Sequence, residues 1–364
     1  MAKRRLRVGV LFGGRSGEHE VSLRSAKFVL DSLDPEKYEV RPIGITKTGE
    51  WLLDDDPMPL LEGAVEPETR PAQAPVSLPT RMPERPAGTL DAPLDVVFPV
   101  LHGTYGEDGT IQGLLDLADV AYVGSGVTGS AVGMDKAIQK RVLHAHGIPV
   151  APSRVYTRRA WRADPHSIPA EIETELGYPV FVKPCNLGSS VGISKVHDAD
   201  ELGPALDFAA RYDRRLIVEV AIPNAREIEV SVLGNDEPEA SVCGEIIPGN
   251  EFYDYDAKYL DGTSQECIPA DIPDELAARI RRMAVEAYHA IDCAGFARVD
   301  FLVDGESFAV VLNEINTIPG FTEISQFPKL WQASGVDSRE LLDRLIDLAL
   351  ERHADRRETI TSYD

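Results

Sequence analysis

Cysteine, aromatic residues and long apolar runs are all scarce in this sequence. Its four cysteines are far apart and form no Cys-x-x-Cys pair; they are Cys185, Cys243, Cys267 and Cys293. This spacing excludes a zinc ribbon and argues against a disulfide framework, as expected in a reducing cytoplasm. No run approaches the roughly 18 apolar residues of a membrane helix, so the sequence predicts a soluble cytoplasmic protein without a membrane partner.

Basic residues are also outnumbered, since 37 Lys and Arg stand against 60 Asp and Glu and the net charge is −23. Nucleic acids and anionic membranes require basic surface, so neither is an expected partner. A phosphorylated ligand would need a local basic pocket or metal ions. The length of 364 residues and the apolar content of 43% are those of a globular protein with two or three domains.

The first third of the chain alternates strands and helices, which predicts an α/β domain with a mostly parallel sheet. Apolar runs and helical periodicity place strands at 6–12, 38–45 and 95–101, and helices near 19–33 and 109–118. Residues 57–93 carry nine prolines and predict a loop insertion, with an interdomain linker as the alternative.

From about residue 135 the pattern changes to strand pairs separated by single helices, which predicts α+β lobes with antiparallel sheets. Helices are predicted at 135–146, 198–211, 274–291 and 338–353. Strands are predicted at 179–183, 191–196, 216–220, 227–233, 239–247, 296–303 and 310–320. The last residues are polar and predict a disordered tail.

Four polar residues interrupt the last two apolar strands. Arg298 and Asp300 are two residues apart, and so are Glu314 and Asn316, so each pair shares a face of its strand. Two carboxylates and an amide oxygen are the donors that a Mg²⁺ beside phosphates requires. A structural salt bridge of Arg298 is the alternative, but it leaves Asn316 unexplained. In a hairpin without a bulge, Asp300 and Glu314 share a face only if the loop has an odd number of residues.

Two glycine-rich segments invite different interpretations. Residues 183–192 form a Gly/Ser-rich turn between two strands, where backbone N–H groups and Lys183 could contact phosphates; a plain hairpin turn is the alternative. The segment is not a Walker A loop. Residues 124–129 match G-x-G-x-x-G, but they lie outside the first βαβ unit and lack the acidic residue of a dinucleotide site. We interpret them as a turn.

Several further candidates lie at strand ends and in loops. His102 and Glu18 follow strands of the predicted parallel sheet, where such sheets bind ligands, although capping is the alternative for both. Residues 248–262 predict a lid or binding loop, or else a surface loop with packed aromatics. Glu219 ends one strand and Glu227 begins the next, and either carboxylate could accept from adenine or ribose. The pair at 144 and 146 is interpreted as a helix end.

Together these segments resemble the ATP-grasp superfamily and, within it, the D-alanine–D-alanine ligases. The resemblance rests on 13–22 (GGRSGEHEVS), 102–109 (HGTYGEDG), 134–136 (MDK), 183–192 (KPCNLGSSVG), 253–259 (YDYDAKY), 297–300 (ARVD) and 313–322 (NEINTIPGFT). It implies an N-terminal Rossmann-like domain (1–130, with the insertion 57–93), followed by a two-lobed ATP-grasp fold. The implied boundaries are a central lobe at 131–222, a C-terminal lobe at 223–355 with a lid at 248–262, and a tail at 356–364.

The resemblance also implies a role for each matching residue. Metal ligands would be Asp300, Glu314 and Asn316, holding two Mg²⁺ or Mn²⁺, with K⁺ as a further candidate ion. Nucleotide contacts would be Lys136, Lys183, Ser189, Ser190, Glu219, Glu227 and Lys258. A hydrogen-bonded triad of Glu18, Ser189 and Tyr259 would close the site. Substrate contacts would be Glu18, His102, Lys258, Arg298 and Ser325. Arg298 and the N–H of Gly320 would stabilise the oxyanion.

The implied reaction joins two D-alanines at the expense of ATP through a D-alanyl phosphate, and the family implies a homodimer. Three other readings remain: a D-alanine–D-lactate or D-alanine–D-serine ligase, an NAD-dependent oxidoreductase, and an inactive ATP-binding regulator. Tyr259 argues against the lactate ligase. Cys185 departs from the expected small residue and is a candidate for thiol reactivity, while Glu323 adds charge beside the second-substrate segment.

Overall fold

Three β-sheets organise the chain in this computed structural model, which describes residues 4–53, 56–63, 93–247 and 265–360. The first sheet has the order β3-β2-β1-β4-β5. Its strands are β1 (Leu6–Gly13), β2 (Tyr38–Ile45), β3 (Trp51–Leu52), β4 (Val96–Val100) and β5 (Ala121–Tyr122). Every pairing is parallel except that of β2 with β3, which confirms the predicted α/β unit.

Helices of this first unit cover the sheet and lead into the next unit. They are α1 (His19–Ser32), α2 (Met58–Leu61), α3 (Thr110–Leu117), α4 (Val127–Met134) and α5 (Lys136–Ala145). The side chain of Asp135 accepts from the N–H of Ile138 and caps α5. The predicted turn at 124–129 is only partly right, because α4 already begins at Val127. His144 and His146 lie at the end of α5, as predicted.

A second sheet of four antiparallel strands forms the central lobe, in the order β6-β9-β7-β8. Its strands are β6 (Ser153–Thr157), β7 (Val180–Pro184), β8 (Ser194–Val196) and β9 (Arg215–Val220). Three helices pack beside it, α6 (Arg158–Ala163), α7 (Ser167–Glu175) and α8 (Ala199–Ala209). The β8 strand is shorter than predicted because residues 190–193 belong to the Gly/Ser-rich turn.

The third sheet is antiparallel throughout, in the order β12-β11-β10-β13-β14. Its strands are β10 (Ala225–Gly234), β11 (Glu239–Ile247), β12 (Gln265–Cys267), β13 (Gly295–Asp304) and β14 (Val310–Asn316). The helix α9 (Asp274–Ala290) packs on its apolar face, and α10 (Gln326–Ala333) and α11 (Ser338–Arg357) follow. Both antiparallel sheets confirm the predicted α+β lobes.

The C-terminal helices share a hydrophobic core with the first sheet. Leu345 and Ile346 of α11 belong to the same buried cluster as Val10 of β1 and Phe98 of β4. Polar contacts at the surface also join α11 to the N-terminal unit, because the carboxylate of Asp343 accepts from Lys37 and Tyr38. The N-terminal unit is therefore packed against the end of the chain, although the predicted boundary at 130 separates them in sequence.

The hairpin of β13 and β14 contains a bulge that sets the register of the polar residues. Val303 pairs with Val310, so the connecting loop 304–309 has six residues, an even number. Without a bulge, Asp300 and Glu314 would therefore lie on opposite faces. The register shifts between Asp300 and Phe301, with Asn313 as the extra residue, and Asp300 then pairs directly with Glu314. The sheet thus meets the face condition by a route that the sequence did not reveal.

Candidate active site

A cavity of about 860 Å³ lies where the three sheets approach each other. The predicted site residues that line it are Glu18, His102, Lys136, Ser189, Arg298, Glu314, Asn316, Gly320 and Ser325. They come from the residue before α1, the strand β13, the ends of β4 and β14, the start of α5, the Gly/Ser-rich turn and the segment between β14 and α10. Residues as far apart in sequence as Glu18 and Ser325 therefore meet in one cleft, which is the usual form of a small-molecule site. Lys258 and Tyr259 lie outside the described residues.

Arg298 lines the floor of the cavity together with Glu229, whereas its other carboxylate partner, Asp300, is not among the described residues that line it. Arg298 donates to both oxygens of Asp300, with Nε–Oδ1 and Nη2–Oδ2 distances of 2.8 Å. Its Nε also lies 3.3 Å from Oε2 of Glu229. Although burial lowers the pKa of a guanidinium, these carboxylates raise the pKa of Arg298 well above its ordinary value. Arg298 is therefore a fixed cation at the cavity floor.

Glu314 and Asn316 lie on the same face, one strand over. Asp300 pairs with Glu314 and Arg298 with Asn316 across the β13–β14 ladder. Lys136 lies 3.1 Å from Oε2 of Glu314, and its Nζ also donates to the carbonyl of Leu187 at 3.0 Å. Lys136 thus connects a predicted metal ligand to the Gly/Ser-rich turn.

Asn316 turns its side chain toward its own strand end, where Oδ1 accepts from the N–H of Ile318 at 3.0 Å. Among the described residues, no group of three or more His, Cys, Asp or Glu is arranged to hold a metal ion. Two carboxylates and an amide oxygen on one face still match the donor set of a Mg²⁺ that shares its ligands with phosphate oxygens. The residues present fit such an ion.

Glu18 joins the N-terminal unit to the Gly/Ser-rich turn. Ser189 donates to Oε1 of Glu18, which is the predicted pairing of two triad members. A Cβ on Gly188 would lie 2.8 Å from Oε2 of Glu18, so a larger residue there would push the Glu18 carboxylate aside. Ser189 and Ser190 have φ values of 50° and 58°, a left-handed conformation that costs energy in residues other than glycine. The turn therefore holds a strained shape at the site.

Four predicted nucleotide contacts lie outside the lining of this cavity; they are Lys183, Ser190, Glu219 and Glu227. Glu219 is buried between two lysines, with Lys183 at 2.9 Å and Lys140 at 3.4 Å. The lysines outweigh burial and lower the pKa of Glu219, whereas burial lowers the pKa of Lys140. Oε1 of Glu219 is the oxygen that faces Lys140, and no described residue donates a hydrogen bond of good geometry to it.

Ser325 lies beside Gly320 at the start of α10. Its Oγ accepts from the N–H of Thr322 at 3.0 Å, and a Cβ on Gly320 would come within 2.9 Å of that oxygen. Glu323 is exposed and lines the same end of the cavity, as the sequence suggested. His102 is 3% exposed, and Glu107 lies 3.5 Å from its Nδ1. Contact with Glu107 outweighs burial and raises the pKa of His102.

Cys185, the candidate for reaction with thiol reagents, lies in the interior of the protein. Its side chain is fully buried, and burial raises the pKa of its thiol to about 12. It packs with Ala137 and Ile217 beneath the turn. In this chain Cys185 is therefore a core residue, and its burial argues against the thiol reactivity for which the sequence made it a candidate.

Sequence reasoning missed three charged residues of the site. Glu229 lies two residues beyond Glu227 on the same strand face, and Lys140 lies one turn beyond Lys136 on α5. Both could have been found from the strand and helix periods. Glu107 gave no such signal, because its contact with His102 depends on the turn between β4 and α3.

Comparison with known proteins places the chain beside one family along its whole length. The family models described as D-ala D-ala ligase N-terminus and C-terminus match residues 7–125 and 142–347. A D-alanine–D-alanine ligase of Natranaerobius thermophilus is 49% identical over 365 residues, which cover 99% of each chain. Another, of Acetivibrio thermocellus, is 50% identical over 374 residues and covers 98% of each chain.

Two solved structures share the fold at similar coverage. The D-alanine–D-alanine ligase from Coxiella burnetii has a TM-score of 0.83 at 38% identity, covering 98% of this chain and 97% of that one. The VanG D-Ala:D-Ser ligase from Enterococcus faecalis has a TM-score of 0.80 at 36% identity, covering 95% and 100%. The fold is therefore that of the ATP-grasp ligases, as the sequence predicted. No helix among the described residues is long and apolar enough to cross a membrane.

Proposed function

The chain belongs to the D-alanine–D-alanine ligase family, and on that premise we propose how its residues divide the work of the reaction. The enzyme uses ATP and a divalent metal to join two D-alanines into D-alanyl-D-alanine for peptidoglycan synthesis, releasing ADP and phosphate. One observation carries the division of roles: Arg298, Asp300, Glu314 and Asn316 share one face of the β13–β14 hairpin.

The first D-alanine is assigned to Glu18. Its carboxylate lines the cavity and would hold the substrate ammonium, while the hydroxyl of Ser189 keeps the carboxylate in place. In the closed state Tyr259 would complete this triad. His102 lies in the same wall, but each of its ring nitrogens contacts a protein atom, so we assign it to shaping the site.

The nucleotide is assigned to the cleft between the two antiparallel sheets. Lys136, Lys183 and Lys258 would offset phosphate charge, and Ser189 and Ser190 would present backbone N–H groups to the phosphates. Glu219 and Glu227 would accept from the adenine amino group and the ribose hydroxyls. Support comes from Oε1 of Glu219, a buried acceptor that faces the Lys140 ammonium at 3.4 Å without a hydrogen bond of good geometry from any described residue.

The metal is assigned to Asp300, Glu314 and Asn316, as two Mg²⁺ or Mn²⁺ ions, and K⁺ remains a candidate activator. When bound, these ions would offset the negative charge that develops on the transferring phosphoryl group. Arg298 pairs with Asp300 and Lys136 with Glu314, so each carboxylate of the proposed ligand face also contacts a cation.

The chemistry follows in two steps. The carboxylate of the first D-alanine attacks the γ-phosphorus of ATP, which gives D-alanyl phosphate and ADP. The deprotonated amine of the second D-alanine, held through Lys258 and Ser325, then attacks the acyl carbon. Phosphate leaves with the C–O bond electrons and takes up the proton that the nitrogen loses. Arg298 and the N–H of Gly320 would stabilise the oxyanion of the tetrahedral intermediate. Closure of 248–262 would exclude water from the acyl phosphate.

The choice of second substrate is the finer part of the proposal. We propose D-alanine, although the VanG neighbour shows that this fold also carries a D-Ala:D-Ser ligase. Incubating the enzyme with ATP, Mg²⁺ and D-alanine, with or without D-serine or D-lactate, tests it by mass analysis of the products. We expect D-alanyl-D-alanine as the main product at neutral pH. A mixed dipeptide or depsipeptide as the main product would contradict the proposal.

Two further proposals concern the protein in the cell. We propose that the enzyme is cytoplasmic, because ATP and the synthesis of peptidoglycan precursors are found in that compartment. We also propose that it is a homodimer, as the family implies. Light scattering after gel filtration tests the second proposal. A mass near twice the chain mass of 39.8 kDa is expected, and a single-chain mass at micromolar concentration would contradict it.

A further inference from the structure

The segment that carries Gly320 is held by a ring of hydrogen bonds from the N-terminal unit. Nδ1 of His102 lies 2.9 Å from the carbonyl oxygen of Ile318, and its Nε2 lies 2.9 Å from Oγ of Ser25. The same Oγ accepts from the N–H of Phe321 at 3.2 Å. The ring therefore begins at Phe321, ends at Ile318 and encloses Gly320.

One assignment of protons satisfies every member of this ring. A neutral imidazole has one N–H and one lone pair in the ring plane. With the proton on Nδ1, His102 donates to Ile318 and its Nε2 accepts from the hydroxyl of Ser25. That hydroxyl oxygen then accepts from Phe321. His102, Ser25 and Phe321 are 3%, 0% and 1% exposed, so water does not replace these bonds.

Ser25 has no direct access to the reacting groups. His102 and Gly320 line the cavity, whereas Ser25 is not among the described residues that do. It lies on α1, behind His102, and its side chain joins the first-substrate wall to the loop after β14. Any effect of Ser25 on the reaction must therefore pass through His102 or through the backbone at 318–321.

We propose that Ser25 is a positioning residue for the second half-reaction, because its hydroxyl fixes the N–H of Gly320 where the oxyanion forms. The inference rests on the oxyanion role of Arg298 and Gly320 given under the proposed function. Donors of this kind stabilise a transition state only if they are held in place beforehand. Formation of the acyl phosphate does not use the Gly320 N–H, so loss of the Ser25 hydroxyl affects the two half-reactions unequally.

The expected consequence is uncoupling. D-alanyl phosphate still forms in a Ser25→Ala variant, but attack by the second D-alanine slows. Water then competes for the acyl carbon, and hydrolysis returns D-alanine and phosphate. ADP is therefore released in excess of dipeptide. A serine that only stabilised the fold would lower ADP release and dipeptide formation together.

The test measures ADP by a coupled assay and dipeptide by chromatography in the same reaction. Ser25→Ala and Ser25→Cys are compared with the wild type, because the thiol keeps the volume but bonds weakly. Ser241→Ala is the matched control: its buried hydroxyl also contacts two backbone groups, the N–H of Ser231 at 3.0 Å and the carbonyl of Val242 at 2.8 Å. Ser241 is not among the described residues that line the cavity.

We expect dipeptide turnover in Ser25→Ala to fall by roughly 10- to 100-fold, in the range that small misplacements of reacting groups cause. ADP release should fall less, and hydroxylamine should trap D-alanyl phosphate as the hydroxamate. Ser241→Ala should release equal amounts of ADP and dipeptide. If Ser25→Ala does not fold, the ratio of ADP to dipeptide in Ser25→Cys decides the question. Equal ADP and dipeptide in the folded variant, whatever the rate, would overturn the proposal.

Arg298→Lys in the same assay separates this inference from the proposed function. If Arg298→Lys ligates at the wild-type rate, the oxyanion assignment itself fails, whatever the Ser25 variants do. If Arg298→Lys uncouples ADP release from dipeptide formation and the folded Ser25 variants do not, only the positioning role of Ser25 fails.

Discussion

At the scale of single residues, the polar site is built from pairs of opposite charge. Arg298 offsets Asp300 and Glu229, and Lys136 offsets Glu314. Removing one partner of such a buried pair leaves an uncompensated charge, at a cost of about 3–5 kcal/mol. Substitutions that keep the charge therefore probe function, whereas truncation also probes the fold. For this reason Arg298→Lys is a sharper variant than Arg298→Ala.

The cysteines provide a residue-scale prediction with a defined pH dependence. Because the thiolate is the reactive form, the raised pKa of Cys185, about 12, leaves almost no thiolate at neutral pH. We expect iodoacetamide to modify the half-buried Cys267 before the buried Cys185, Cys243 and Cys293. The reactivity of Cys185 should increase as pH rises toward its pKa. Peptide mapping by mass spectrometry of the folded enzyme at pH 7 and pH 9 measures the order.

Early modification of Cys185 at neutral pH would contradict this expectation. The wild type and a Cys185→Ser variant are both treated with iodoacetamide and then compared in ATP binding. A loss confined to the wild type shows that modification of Cys185 affects ATP binding. The sequence identified Cys185 as unusual for its loop position, but its depth below the turn depends on packing against α5 and β9. Loop position alone could not give that burial.

A second residue-scale prediction concerns Glu18 and Ser189. Ser189→Ala removes the hydroxyl that donates to Glu18 and leaves the turn's backbone unchanged. We expect the KM for the first D-alanine to rise about tenfold, corresponding to the roughly 1.5 kcal/mol of a hydrogen bond to a charged group. Steady-state kinetics at saturating ATP measures it, with Ser241→Ala as the control. An unchanged KM in the Ser189 variant would contradict the assignment.

At the scale of elements, the β13–β14 hairpin shows what the sequence could predict and what it could not. The even spacings placed Arg298 with Asp300 and Glu314 with Asn316, because side chains alternate along any strand. Whether the two pairs lie on the same face of the hairpin depends on the length of the loop and on the bulge at Asn313. Neither follows from apolar pattern, since a bulge inserts one residue without changing the composition of the strand.

The bulge gives a prediction at this scale. With Asn313 still the bulged residue, an alanine inserted between Asn313 and Glu314 should lie opposite Asp300 and move Glu314 to the other face. We expect a folded protein that binds ATP–Mg²⁺ at least tenfold more weakly, by a loss of about 1.4 kcal/mol or more. Isothermal titration calorimetry measures the affinity. An alanine inserted after Glu306, in the exposed loop, is the control because that loop can absorb the change.

Wild-type affinity in the variant with the insertion after Asn313, together with native circular dichroism, would show that the register at the bulge does not set the metal face. The same affinity loss in both insertion variants would show that hairpin length alone matters. Only a selective loss in the variant with the insertion after Asn313 supports the register argument.

At the scale of the whole molecule, the N-terminal unit and the C-terminal helices form one core. α11 contributes Leu341, Leu342, Leu345 and Ile346 to the cluster that includes the first sheet. The sequence predicted both elements with nearly correct bounds, but periodicity cannot reveal which faces meet across 300 residues of chain. The site depends on this packing, because Glu18 and His102 come from one end of the chain and Gly320 from the other.

Shared packing predicts cooperative unfolding. Leu345→Ala removes a fully buried side chain from α11, at a cost of about 2–5 kcal/mol. We expect the tryptophan signal of Trp331 and the signal of an N-terminal probe to shift together to lower urea. Leu117→Ala, at an 89% exposed position, is the control and should leave the midpoint unchanged. Two separated transitions in Leu345→Ala would show that the units unfold independently.

The central claim is that one face of a hairpin serves both half-reactions, with Glu314 in the first and Arg298 in the second. The most direct test measures hydroxylamine-trapped D-alanyl phosphate and D-alanyl-D-alanine in Glu314→Gln and Arg298→Lys. We predict that Glu314→Gln loses both products, whereas Arg298→Lys keeps the hydroxamate and loses most of the dipeptide. Equal loss of both products in the two variants, or normal ligation by Arg298→Lys, would contradict the account.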